Sequence, residues 1–248
     1  MQDTVRVNGI VLSAMPVGEA DRRILLYTKE LGRISCFVRG ARKPTSPFVG
    51  KTRPFSFGRF DLYPGRDAMN LQAAEITEYF EPLASDPLLS AYGSCILELT
   101  SRVGQENADG TLLLTLVYYA LLALMKGRMT PELVWTVFQA KVLEYEGLMP
   151  AFTTCLKCGK PLKTGVFKPS YLGPLCGPCA PEGSEYPLSE STLYAFTFVR
   201  NEAPNRLFSF ALSEAVFSEF RQVVRFLRGR MLSRPLSSEE LLEVFQKQ

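Results

Sequence analysis

Four cysteines constrain this chain more than any other feature. In CLKCGKPLKTGVFKPSYLGPLCGPC, Cys155 and Cys158 form one C-x2-C pair and Cys176 and Cys179 another, with seventeen residues between the pairs. At that spacing a hairpin brings two pairs of thiolates together at tetrahedral positions, the pattern of a four-cysteine zinc site. With every coordination place filled by protein, such a site is structural and leaves no position for water or substrate. It contributes folding free energy that so short a segment cannot draw from its own core. Other uses of these residues stand beside it. A four-thiolate iron site shares the spacing, and Cys176-Gly177-Pro178-Cys179 has the form of a thioredoxin-like redox pair. The redox pair needs a helix starting at its first cysteine, and Ala180-Pro181-Glu182-Gly183 argues against one. Structural disulfides do not suit a cytosolic chain. Cys36 and Cys95 fall on apolar faces and are expected in the core.

The chain has no histidine, which removes serine-histidine triads, histidine general bases and histidine metal ligands together. A binding protein rather than an enzyme is expected. Gly50-Lys51-Thr52 has the ending of a nucleotide-binding P-loop, but Thr45 stands where that loop needs glycine. Arg53-Pro54 follows where it needs a helix. With 248 residues and 46% hydrophobic content there is material for two or three domains with cores of their own. The start, MQDTVRVNG, has no apolar run, and the greasiest segment, 112–125, is shorter than the roughly 18 apolar residues of a spanning helix. A cytosolic location, away from membranes, is expected.

Charge is polarised along the chain. Residues 1–80 carry 12 basic and 8 acidic side chains, whereas 81–150 carry 4 and 8. Within 39–66 stand Arg39, Arg42, Lys43, Lys51, Arg53, Arg59 and Arg66 against Asp61 alone, an excess that attracts polyanions unless it is only a solvated face. Short strands separated by turn residues are expected at 5–13, 23–28, 33–39, 55–63 and 70–77, and five strands in so short a stretch suggest a small closed barrel. Alternation sets Ile34, Cys36 and Val38 inward and Arg33, Phe37 and Arg39 outward. It likewise groups Arg23 with Tyr27, and Phe57 with Arg59 and Tyr63. Aromatic rings beside arginines are what a sequence-tolerant binder of single strands uses. The competing reading packs the rings under the next domain, with arginine stems across them.

Helices are expected at 87–103, 110–126 and 131–146, started by Asp86-Pro87 and Thr130-Pro131 and stopped by Gly147. The apolar LLLTLVYYALLALM belongs at the centre of a bundle. Further helices are expected from Ser189 through Phe198 and from Ser213 through Leu232, with a capping box at Ser237-x-x-Glu240. Arg221, Arg225 and Arg228 make a basic stripe on the second of these, as readily solvated as functional. The expected organisation is α+β and multidomain: a barrel over 1–80, a helical domain over 81–150 resumed at 188–248, and the zinc module over 151–187.

In this order the parts resemble the RecO family of bacterial recombinational repair proteins. GEADRRILLYTKELGRISCFVRGARKPTSPFVGKTRPF, the helix ending EYEGLMP and the cysteine segment carry the resemblance, most specifically Gly18-Glu19, Thr28, Gly32 and VRGARK. It implies an OB-fold barrel, a helical domain and a structural zinc ion held by Cys155, Cys158, Cys176 and Cys179. It also implies binding of single- and double-stranded DNA and annealing, without ATP, of strands coated by single-stranded-DNA-binding protein. The implied partners are that protein and RecR, with RecF and, indirectly, RecA in the same pathway, at the bacterial nucleoid. VRGARK matches the family's DNA-binding region, so Arg39, Arg42 and Lys43 carry over as DNA contacts. Alternation and loop charge add Arg23, Arg33, Phe37, Lys51, Arg53 and Arg59. A zinc-ribbon RNA-binding factor or, further off, a thiol oxidoreductase would share parts of this pattern.

Overall fold

The computed structural model of the chain describes residues 4–66, 68–183 and 186–246. Five strands open it: β1 (Val5–Val17), β2 (Asp21–Thr28), β3 (Gly32–Val38), β4 (Phe57–Pro64) and β5 (Met69–Glu78). They close in the order β1-β2-β3-β5-β4, with β4 returning to pair antiparallel with β1. Closure is completed by a short parallel contact in which Cys36 meets Met69 and Phe37 meets Asn70. This is the five-stranded Greek-key barrel of the OB-fold. Alternate residues fill it: Val7, Val11, Ile24, Leu26, Cys36, Val38, Phe60 and Leu62 are fully buried. Each large apolar side chain removed from water there is worth about 1.5–3 kcal/mol. Burial also pushes the Cys36 thiol up to about 12, so it packs as an inert core residue.

The barrel is seated on helices by its second hairpin. Thr28 Oγ1 accepts from the Leu31 N–H and donates to the Gly32 carbonyl, closing the turn. After the short α1 (Glu81–Ser85) come α2 (Pro87–Val103) and α3 (Thr111–Lys126), and the link between α2 and α3 lies along this turn. The Arg33 N–H donates to Gln105 O, Asn107 N–H to Leu31 O, and Gly110 N–H to Lys29 O, all at 2.8–2.9 Å. Gly32 has φ +63°, and a Cβ on it would stand 2.2 Å from the Gln105 carbonyl oxygen, so the position requires glycine twice over. Tyr27 is buried against this link, its ring next to Gly104 and Gly110, and Phe57 sets its ring 5.0 Å from that of Tyr118 on α3. For these two aromatics the packed alternative prevails: alternation identified their shared outer face but not that helices cover it.

Asp86 caps α2 as its sequence implies, accepting from the Leu88 and Leu89 N–H groups. The final helix, α8 (Glu239–Gln246), packs on α2. It starts at Glu239, one residue later than a Ser237–Glu240 capping box requires. At Ser238 the backbone N–H and Oγ instead donate to the Glu98 carboxylate at 2.8 and 2.7 Å, so a charged tertiary acceptor replaces the local box.

The chain up to Met125, with the segment from Ser238, forms one compact unit, and Lys126–Ser237 forms another. The second contains α4 (Pro131–Tyr145), a small sheet of order β7-β6-β8, then α5 (Glu190–Asn201), α6 (Pro204–Leu207) and α7 (Glu214–Met231). The sheet strands are β6 (Gly165–Lys168), β7 (Gly173–Leu175) and β8 (Tyr186–Leu188). Enclosure is most complete in α4, where every residue from Leu133 to Leu143 is buried. Hydropathy pointed to α3 because α4 includes Thr136, Gln139 and Lys141. These are accommodated by bonds to the carbonyls of Glu132, Trp135 and Arg200. Ser189 and Ser213 cap α5 and α7. The cysteine segment is joined to those helices by stacked aromatics: Phe152 lies 3.8 Å from Phe196 with the rings nearly parallel, Phe196 contacts Phe220, and Phe167 contacts Phe226.

Candidate nucleic-acid interface and metal centre

The VRGARK segment leaves β3 under firm backbone control. Gly40 has φ +65° and donates its N–H to Asp21 Oδ1 at 2.7 Å. Ala41 then drops into the barrel core, fully buried. The Arg42 N–H donates to Ala20 O at 2.9 Å, and its Nη1 to Gly18 O at 3.0 Å. The buried Ala41, with the Gly40 and Arg42 backbone bonds on either side, thus clamps the segment to the β1–β2 turn and leaves Arg39, Arg42 and Lys43 facing solvent. The following loop forms successive turns, with no helix after Lys51, as the mismatched P-loop pattern implies.

Beside this segment a cleft of about 480 Å³ is lined by Val17, Arg23, Phe37, Arg39, Tyr63, Arg66 and Asn70, among others. Strand register produces it. Arg23 stands opposite Phe37 across β2 and β3, Phe37 opposite Asn70 across β3 and β5, and Asn70 opposite Tyr63 across β5 and β4. Arg23 Nε donates to Ser35 Oγ at 2.7 Å, which holds the guanidinium against the outer wall. Two rings and three guanidinium groups therefore share one concave surface. Such a surface can stack bases and hold phosphates without reading sequence.

Other candidates are engaged by the chain itself. Arg33 donates to the Ser101 carbonyl at 2.6 Å and to Glu106 at 3.1 Å. Lys51 Nζ donates to Ala74 O at 2.8 Å, and Arg59 pairs with Glu75 at 2.9 Å. The structure places these three apart from the residues lining the cleft. Arg53 is exposed and lines a second pocket with Arg22 and Arg42. On α7, Arg221 is paired with Glu132 and lies 5.2 Å from the Phe217 ring.

The four cysteines form a cage. Their sulfur atoms all lie within 4.8 Å of one another, close enough to hold one metal ion. Cys155-Leu156-Lys157-Cys158 closes through the Gly159 N–H, which donates to Cys155 O at 2.9 Å. Cys176 begins a single 3-10 turn of three residues, in which the Cys179 and Ala180 N–H groups return to Cys176 O. Burial works against a thiolate at Cys155, yet backbone N–H groups of Cys176, Cys158 and Lys157, with the Cys158 thiol, bring it down to about 6. The thiols of Cys176 and Cys158 push Cys179 up to about 12. Without a cation the four sulfurs cannot all ionise together, whereas a bound divalent ion favours thiolate at each.

Comparison with known proteins now places the chain. The profile for the N-terminal part of recombination protein O matches residues 1–80, which span the barrel. The profile for its C-terminal part matches residues 84–240, most of the remaining chain. The chain belongs to the RecO family. Among its relatives, the DNA repair protein RecO of Acetivibrio thermocellus is 29% identical over 92% of each chain. That of Bacillus cereus is 27% identical over 98% of each. The RecO of Alkaliphilus metalliredigens reaches 31% identity over 63% of each.

Within this RecO barrel, sequence reasoning singled out Arg23, Phe37 and Arg39 but passed over three other lining residues, Tyr63, Arg66 and Asn70. Tyr63 and Arg66 had been noted as an outward ring and a loop cation, and the missing signal was the β4–β5 register that brings them beside Phe37. Arg22 was also passed over, because alternation puts it on the side of Ile24 and Leu26, which are core residues. Among the described residues, no helix is long and apolar enough to cross a membrane.

Proposed function

We propose that this RecO-family chain is a recombination mediator: it binds single- and double-stranded DNA on its barrel and anneals complementary strands coated by single-stranded-DNA-binding protein. In that role it acts with RecR, in the pathway of RecF, to help RecA load, and it uses no ATP. The observation that carries this reading is the cleft of Arg23, Phe37, Arg39, Tyr63 and Arg66 beside the exposed Arg42 and Lys43. Rings on that surface stack unpaired bases, and its cations follow the backbone and release counterions as they bind. Neutralising both strands lowers the repulsion that slows their pairing. Arg33, Lys51 and Arg59 lie outside the cleft, and in this reading they support the barrel and its setting through their bonds within the chain rather than touch DNA.

Cys155, Cys158, Cys176 and Cys179 would hold zinc, and the donor set fits: four thiolates in a closed cage suit a tetrahedral ion with no open position. The ion would supply local folding energy, with no part in annealing. Such a cage does not suit a two-cysteine redox centre, which needs one exposed reactive pair. Competition between matched DNA and RNA strands, followed by fluorescence anisotropy, tests the DNA assignment. Stronger competition by DNA is expected, and a clear preference for RNA would replace it with an RNA-binding role resting on the 2′-hydroxyl.

A further inference from the structure

At the end of the barrel, Ala14, Pro16, Arg22, Arg42, Arg53 and Pro54 enclose a separate pocket of about 280 Å³. Strand alternation divides it from the cleft. Arg22 and Arg23 are neighbours on β2 and point to opposite sides, as Pro16 and Val17 do on β1, so β2 gives one residue to each concavity and β1 gives Ala14 and Pro16 to the pocket and Val17 to the cleft. Arg22 shares the side of the buried Ile24 and Leu26 but lies near the strand's end, which sets its guanidinium over the barrel mouth.

The pocket is built rather than incidental. Arg22 Nη1 donates to Thr52 Oγ1 at 2.7 Å and to the carbonyls of Val49 and Thr52 at 3.4 Å. Thr52 is itself fully buried and fixed by donating to Phe48 O at 2.8 Å. Arg42 is held by Gly18 O. Three guanidinium groups line one small space, and among the described residues no carboxylate lines it with them. Burial, and then the like charges of Arg53 and Arg42, lower the pKa of Arg22 from its ordinary value. A bound anion would relieve that repulsion.

Size and charge select the anion. The walls between the arginines are Pro16, Pro54 and Ala14, which leave room for a phosphate group but offer no ring for a base to stack on. An internal phosphodiester carries one charge and an ester substituent on each side. A terminal phosphate monoester carries about 1.5 to 2 charges and three free oxygens, a better match for several guanidinium forks. We propose that this pocket holds the terminal phosphate of a nucleic-acid strand, so that the barrel recognises strand ends as well as strand interiors. The proposal rests on the strand-binding reading above and adds a site to it.

The test compares one internally labelled oligonucleotide bearing hydroxyls at both ends, a 5′-phosphate or a 3′-phosphate, bound to the full chain and followed by fluorescence anisotropy. One phosphorylated form is expected to bind roughly tenfold more tightly than the hydroxyl form, about the effect of one or two charge-assisted hydrogen bonds. Which end it is identifies the source of the phosphate. In Arg53→Gln the ratio of the two affinities falls towards one. Arg22→Gln can also loosen the loop through Thr52, so the exposed Arg53 is the decisive position and the ratio, not the absolute affinity, is the readout. Equal affinity for all three forms overturns the proposal while leaving strand binding intact, and so does a ratio that survives in Arg53→Gln. Should no oligonucleotide bind, the strand-binding reading fails. Calorimetry with inorganic phosphate then decides the pocket: binding that Arg53→Gln abolishes retains an anion site, and no binding ends it.

Discussion

Replacing Arg39, Arg42 and Lys43 together by alanine removes three exposed cations from the segment that leaves β3. The fold tolerates this, because Gly40, the buried Ala41 and the backbone N–H of Arg42 make the anchoring contacts, and none of these is altered. The hydrogen bond lost, from Arg42 Nη1 to Gly18 O, is exposed and worth at most about 1 kcal/mol. The effect on binding is larger and has a particular form. Each single-strand phosphate neutralised adds about 0.7 to the slope of log affinity against log salt, so three lost contacts flatten that slope by about 2. Between roughly 50 and 200 mM salt, the variant should then lose about twentyfold less affinity than the parent chain. Fluorescence anisotropy with a labelled single strand across that range measures it. Phe37→Ala supplies the contrast: it removes a stacking platform worth about 1–3 kcal/mol per base and leaves the slope unchanged. A triple variant with the parental slope would refute the assignment of these cations to phosphates. A flattened slope in Phe37→Ala would refute the division of labour between ring and cation.

Gly32→Ala should lower stability by more than about 2 kcal/mol, read from the denaturant midpoint, since a left-handed conformation costs roughly 1–2 kcal/mol before the collision with the Gln105 carbonyl is added. A loss below about 0.5 kcal/mol would contradict the seating of the hairpin on the α2–α3 link. Metal analysis of the purified chain is expected to give zinc, and chelation to open residues 151–187 to protease while the salt slope of strand binding stays as it was. No zinc, or iron with visible absorbance, would overturn that assignment. Glu219 is expected to govern part of the acid limb of stability. Burial works against its charge, but Thr192 Oγ1, the Ser189 N–H and Ser189 Oγ all donate to the carboxylate and hold its pKa below the ordinary value. Its contribution is therefore present above that ordinary value and is lost as pH falls through the lowered one. Glu219→Gln should cost roughly 1–2 kcal/mol at neutral pH, allowing for partial exposure, and flatten the acid limb; an unchanged pH profile would contradict this.

The barrel was legible because its strands are short apolar runs bounded by turn residues, with Leu31-Gly32 and Pro64-Gly65 marking turns where strands end. Period two holds through β4 but breaks in β1, where a bulge between Val11 and Ser13 leaves Gly9 to Leu12 all buried. Helix starts were legible wherever one residue does the capping, as at Asp86, Thr130, Ser189 and Ser213. The box at Ser237 shifted because its neighbour Ser238 found the Glu98 carboxylate, 140 residues away in sequence, which no local pattern encodes. The same limit applies at the interface. Composition located the basic segment, but not the tertiary partners its cations find: the Glu106 carboxylate and Ser101 carbonyl for Arg33, Glu75 for Arg59, and the Ala74 carbonyl for Lys51. Alternation likewise assigned Tyr27 and Phe37 to outward faces without revealing that one meets the α2–α3 link and the other an open cleft. The cysteine cage needed no such context, since spacing alone brings its ligands together.

Annealing tests the central claim most directly. Two complementary labelled oligonucleotides, each coated with single-stranded-DNA-binding protein, are mixed with the chain in the absence of nucleotide across a salt series, and duplex formation is followed by energy transfer. The account predicts rapid annealing that weakens steeply as salt rises and is lost when Arg39, Arg42 and Lys43 are replaced together. Annealing that is insensitive to salt and to those replacements, or none at all from a chain that binds both strands, would contradict it.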